Sequence, residues 1–416
     1  MKKIKLFIPI LFSAAMLLSA CSSSEPITTD ETTQPSDAML SISNAAPKNI
    51  ENSQNIQLQF NLDLLKQLDK ENKNLFFSAF SINQALTMAY FGADGKTQQE
   101  MQDTLGYSGL TIEDIAAYQK YLMDVYKDPG DTTFYSANSM WIDNDIAVMQ
   151  PYIDAMVDNF NADVEDIDLQ SDSAPAALNK WIDKKTKGMI TELFDQPFDP
   201  LARVVLMNAI YFKGQWTTPF DPERTYERDF NGYSETAKVD MMYSGEDVLG
   251  YTGDDYISIS MPYGDDERFS MVAVLPSGDM SSFIDGLNAE KLNSILTTFS
   301  QQHDPQVSFP KFEMEEKVVL NDALQAMGIV EAFSYDADFS QISDLELRID
   351  KVLHKAKIKV DEEGTEAAAV TAVILEAKSI DMNQFVFRAD RPFLFFIVDS
   401  ENSNVLFTGV VYDLGN

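Results

Sequence analysis

The stretch VDEEGTEAAAVTAVILEAKS, residues 360–379, decides how the rest of the chain is read. Three acids and a glycine open it, small residues follow, and Val370, Val373, Ile374 and Leu375 lead to a single lysine, Lys378. Taken alone, an apolar β-branched run between charges reads as an ordinary buried strand or helix. The surrounding sequence has to show whether it is more.

At 416 residues and 45% hydrophobic composition, the chain can bury one large core or two modest ones. Sixty-six Asp and Glu stand against 31 Lys and Arg, a formal net charge of -35. A surface so negative repels nucleic acid and anionic lipid, whereas a basic protein partner is steered towards it. Cys21 is the only cysteine, so no intramolecular disulfide can form and stability must come from packing.

Lys2, Lys3 and Lys5 form a positive n-region, and residues 6–18 an apolar core too short for a comfortable membrane span. Leu18-Ser19-Ala20-Cys21 follows and resembles the lipobox of bacterial lipoproteins, whose cysteine is lipidated. The expected organisation is a lipoprotein signal peptide over 1–20, a flexible tether over 21–48 and a single domain over 49–416. The tether is rich in Ser, Thr, Pro and Asp and too poor in apolar residues to repay the entropy of ordering. A monomer exported to the bacterial cell envelope follows, touching the membrane through its lipid alone.

From residue 55 the pattern becomes that of a mixed α+β domain. Apolar spacing predicts a helix to Asp69, a short strand over 75–77, a helix from Ser78 or Ser81 to Gly92, and helices over 97–105 and 112–126. The last of these has only Lys120 and Lys127 as basic residues, no stripe for a sulfated polysaccharide cofactor. A strand over 132–142 and helices over 151–160 and 176–194 come next. Residues 204–216, VVLMNAIYFKGQW, read as a strand buried on both faces. Hairpins fill 230–274, a helix 281–299, a strand 307–312, a helix 318–327, and strands 348–360 and 393–411.

Catalysis needs groups that titrate or bind metal, and there are only two histidines and one cysteine. His303 lies in a polar loop and reads as solvated, while His354 lies in an apolar strand and reads as a hydrogen-bonded core residue. Neither a Gly-x-Ser-x-Gly elbow nor a ligand set is present, so neither an enzyme nor a metal or other cofactor is expected.

The assembled motifs resemble the serpin family from about residue 55 to the C-terminus. The strongest are NAIYFKGQWTTPF at 208–220, EEGTEAAA at 362–369 and FRADRPFLFFI at 387–397, and FSAFSINQALTMAYFGADGKTQQEM, WIDKKTKGMITELF, FPKFEMEE and ADFSQIS add further agreement in the right order. The resemblance implies three β-sheets, about eight or nine helices and an exposed reactive-centre loop, from Gly364 to about Phe385, held out as bait for a serine protease. After cleavage, family members insert that loop as a new central strand of the main sheet. The hinge would be Glu362, Glu363, Gly364, Thr365, Glu366, Ala367, Ala368 and Ala369.

An inserted strand has period two, which sends Thr365, Ala367, Ala369, Thr371, Val373 and Leu375 to the buried face, none of them charged. No proline interrupts 364–378. At about 0.5–1.5 kcal/mol per hydrogen bond and about 1.5–3 kcal/mol per buried Val or Leu, insertion releases on the order of ten kcal/mol. That rivals the stability of a whole domain, so the uncleaved state is expected to be metastable and the chain inhibitory. The rival within the fold is a carrier, storage or chaperone-like serpin. Counting forward from the hinge places the scissile bond at Lys378–Ser379, which points to a trypsin-like target. Counting back from Phe387 points near Asp381 or Met382, and Leu375 or Ala377 could serve an alternative cut. The resemblance also assigns Ser78, Ser81, Asn208 and His354 to a polar shutter beneath the sheet, and Trp216, Lys311 and Glu362 to the breach where the loop enters.

Overall fold

A computed structural model describes residues 50–365 and 384–415. Nine α-helices and three sheets are found among these residues, the α+β architecture that the resemblance implies. One sheet has seven strands and packs its hydrophobic centre, Phe269–Pro276, Phe393–Asp399 and Asn404–Val411, into the core with every residue buried. A second has four strands, in the order Val386–Arg388, Gln306–Pro310, Thr236–Ser244 and Thr225–Asn231.

The third sheet positions the candidate site. Its six strands run Phe312–Val319, Leu353–Asp361, Gly364–Thr365, Val204–Gln215, Thr133–Asp143 and Asp163–Ile167. Strand 204–215 pairs antiparallel with 133–143 from Lys213 opposite Thr133 to Val204 opposite Ile142. Strand 353–361 pairs with 312–319 from Val360 opposite Phe312 to Leu353 opposite Val319. The two halves of the sheet join only through Gly364–Thr365 among the described strands.

Alternation explains how strand 204–215 is buried on both faces. Phe212, Ile210 and Leu206 point into the main core, while Val205 and Met207 pack outward with Leu178 and Ile182 of the helix Ala174–Lys185. Helix Ala79–Gly92 is buried nearly all round beneath the sheet, its polar Ser81, Asn83, Gln84 and Thr87 included. Ser78 caps it, its Oγ accepting from the Ser81 amide at 3.0 Å. Gly92 closes it where a Cβ would lie 2.3 Å from Ile342. In helix Ile112–Val125 a capping box between Thr111 and Asp114 fixes the start.

Several elements differ from expectation: the strand expected over 348–360 begins only at Leu353, and the strand stretch 393–411 is two strands, Phe393–Asp399 and Asn404–Val411. The helix expected over 176–194 stops at Lys185, because Lys187 turns left-handed at φ +55° and Gly188 follows at φ +86°. The helix expected over 281–299 is two, Met280–Asp285 and Ala289–Thr297, the second capped afresh by Asn288. Val318 and Val319, expected to open a helix, end the strand 312–319 opposite His354 and Leu353, and the helix begins at Asn321. A β-branched pair on a paired strand has no reason to turn helical.

Candidate functional site

Within the stretch that the resemblance assigns to the hinge, the described residues form a hairpin. Strand 353–361 turns at Glu362 and Glu363 and returns as Gly364–Thr365, with Asp361 opposite Gly364 and Val360 opposite Thr365. On its other side Gly364 pairs with Gln215 and Thr365 with Gly214. Gly364 has φ +154°, and a Cβ there would meet the Gly214 carbonyl oxygen at 2.1 Å, so only glycine passes this close. Thr365 is 2% exposed, and its Oγ1 lies 2.7 Å from the Tyr263 hydroxyl. The resemblance counts Gly364 and Thr365 in the exposed loop, whereas the structure seats them in the sheet.

Around this hairpin the breach residues come together. The Trp216 amide donates to Glu363 O at 2.8 Å, its Nε1 to Asp361 O at 3.0 Å, and its ring stacks on Tyr263 at 4.4 Å. The Phe220 amide donates to Glu362 O at 2.8 Å. Glu362 points its carboxylate at Lys311 Nζ, 2.9 Å from Oε2, and accepts from Thr225 Oγ1 at 2.7 Å. Burial raises the pKa of Glu362, but Lys311 and Thr225 outweigh it and hold the carboxyl below its usual range. Thr225, Tyr263 and Phe220 were not legible as site residues. Each lies on an element that the hinge meets only in three dimensions.

Lower in the sheet the shutter residues divide. The Ser78 amide donates to His354 Nε2 at 3.0 Å, so the ring is neutral and acts as acceptor; burial lowers its pKa to about 4. Asn208 turns instead to strand 133–143, its Nδ2 donating to Asn138 Oδ1 at 2.8 Å and Ser136 Oγ at 3.0 Å. Asn138 in turn donates to Phe160 O at 2.8 Å. Among the described residues Asn208 Oδ1 is buried with no hydrogen-bond partner. Ser81, Asn208 and His354 nevertheless line one cleft of about 1240 Å³, walled by Val204, Leu206, Val352 and Leu353. Ser136 and Asn138 were missed because an alternating strand gives polar positions no mark of their own.

The far end of the loop is anchored in another sheet. Strand 386–388 runs parallel to 306–310, and Gln306 Nε2 donates to Gln384 Oε1 at 2.8 Å. Glu366, Ala367, Ala368, Ala369, Lys378, Ser379 and Cys21 lie outside the described residues. His303 is exposed, its Nδ1 2.7 Å from Asp247 Oδ2.

Comparison with known proteins agrees with this architecture. The family model described as Serpin (serine protease inhibitor) matches residues 55–414. Intracellular coagulation inhibitor 2 of Tachypleus tridentatus is 35% identical over 381 residues, 89% of this chain and 93% of its own length. The crystal structure of Tengpin, a thermophilic serpin, superposes in its native state with a TM-score of 0.81 at 30% identity, covering 90% of this chain and 96% of that one. Its latent state gives 0.76 at 29% identity, covering 88% and 98%. With the three sheets and the match in agreement, the chain belongs to the serpin family, whose members are mostly protease inhibitors and not catalysts.

Proposed function

We propose that the chain is an irreversible, suicide-type inhibitor of serine proteases, in which cleavage of the reactive loop drives its insertion into the six-stranded sheet. The observation that carries this is the register at the hinge. Thr365 sits opposite Gly214 on one side and Val360 on the other, both antiparallel. Extended downward after cleavage, the same register sets Ala367 between Phe212 and Ile358, and Ala369 between Ile210 and Ala356. Those four wall residues point into the core, so small, uncharged loop residues suit them. Thr371 then arrives between Asn208 and His354, bringing a hydroxyl to the unpaired Asn208 Oδ1. Glu366 falls on the opposite face between Lys213 and Lys359, a charge-compatible rung.

We assign the scissile bond to Lys378–Ser379 and the target to the trypsin-like class, whose acidic specificity pocket selects a lysine. Lipidation at Cys21 would hold the inhibitor on the bacterial envelope, where a basic protease is drawn to its acidic surface. Mixing the protein with trypsin, chymotrypsin and elastase tests the reading. An SDS-stable complex with trypsin and a released peptide beginning at Ser379 are expected. Cleavage without a stable complex would overturn inhibition in favour of a carrier, storage or chaperone-like serpin, and another new N-terminus would move the scissile bond.

A further inference from the structure

Gly364 and Thr365 are seated in the sheet of the intact chain, and one core side chain, Tyr263, meets them there with a hydroxyl. Tyr263 is completely buried. Its ring is clamped between Trp216, stacked at 4.4 Å and 15°, and Phe212, edge-on at 5.0 Å. Gly214 passes so close that a Cβ would lie 2.7 Å from the Tyr263 ring. The ring therefore cannot swing, and its hydroxyl is fixed at the point where Thr365 Oγ1 meets it at 2.7 Å. A buried hydroxyl in aromatic surroundings loses much if its partner leaves.

We propose that Tyr263 is a positioning residue for the reactive loop: through Thr365 it latches the hinge into the sheet before cleavage. This rests on the inhibitor reading above for its consequence, though not for its existence. Seating Gly364 and Thr365 takes two residues from the arm that must reach a protease, which slows docking. It also leaves the first rung of the insertion strand already formed, so that insertion after cleavage starts from a nucleus and does not have to part the sheet first. The latch thus trades association rate for efficiency of trapping. Gly364 is its second component, since any side chain there would collide with the Gly214 carbonyl and forbid the seat.

Tyr263→Phe and Thr365→Val delete the bond from either side, while Thr365→Ser keeps a hydroxyl. Amide hydrogen exchange is measured on the uncleaved protein in a peptide spanning 360–365. Both deletions should exchange about two- to tenfold faster at Gly364 and Thr365, the range expected for losing one hydrogen bond, with Thr365→Ser near the parent. Against trypsin the deletions should raise the association rate and also the number of inhibitor molecules consumed per protease trapped. Unchanged exchange in both deletions overturns the latch. Faster exchange with unchanged rate and stoichiometry overturns its positioning role. Absence of any SDS-stable complex with the parent protein sinks the inhibitor reading instead, while the exchange arm still decides the latch. Thr365→Val keeps the test open should Tyr263→Phe disturb folding.

Discussion

Glu362 is held by donors from two other parts of the chain, Lys311 and Thr225, and its backbone carbonyl by Phe220. Glu362→Lys would set two ammonium groups against each other where the hinge enters the sheet and leave Thr225 without its acceptor. We expect this variant to polymerise on mild heating, because a splayed sheet top presents open strand edges. Size-exclusion chromatography after incubation checks it, and a variant that stays monomeric and inhibits normally would refute it. His354 gives the pH dependence. Its pKa falls from 6.5 to about 4 on folding, so the unfolded chain binds the extra proton between those values. The stabilising contribution of the neutral ring is therefore present above pH 6.5 and lost progressively as pH drops towards 4, amounting to roughly 3 kcal/mol. Urea unfolding of His354→Gln should show a flatter loss of stability over this window than the parent. An identical slope would mean that carboxylates alone set it.

At the scale of elements, the sheet is two paired halves bridged, among the described residues, by Gly364–Thr365. A strand entering between them gains a ladder on both sides as well as apolar burial. Cleaving the loop should therefore raise the unfolding midpoint by roughly 20 °C or more, as read by calorimetry before and after limited proteolysis. A midpoint that stays or falls would show that insertion does not occur. Most elements were legible from periodicity: strand 204–215 because both its faces are covered, helix 112–125 because its apolar spacing is amphipathic. Illegible ones were decided by partners. Val318 and Val319 are strand because Leu353 and His354 stand opposite them, and the helix 174–185 ends where Lys187 adopts a left-handed backbone.

For the whole molecule, charge matters most. At -35 the body attracts a basic protease over distances set by salt. The association rate should fall by roughly tenfold between about 0.01 M and 1 M ionic strength, as the Debye length shrinks from ~30 to ~3 Å. Stopped-flow measurement with a cationic trypsin checks this, and a rate indifferent to salt would contradict it. Within that acidic body Arg268 and Asp399 form a buried pair at 2.9 Å, so that neither charge is left unmatched in the core.

The sequence by itself determined the family, and it put the hinge stretch and the polar positions Ser78, Asn208 and His354 forward as candidates, because those depend on residue type and local period. Only the tertiary structure decided that Gly364 and Thr365 are already seated between two strands, that Tyr263 and Thr225 grip the hinge, and that Asn208 turns away from His354 towards Ser136 and Asn138. These are contacts across 102, 137 and about 70 residues of chain, and no local pattern encodes which distant side chain will supply a hydrogen bond.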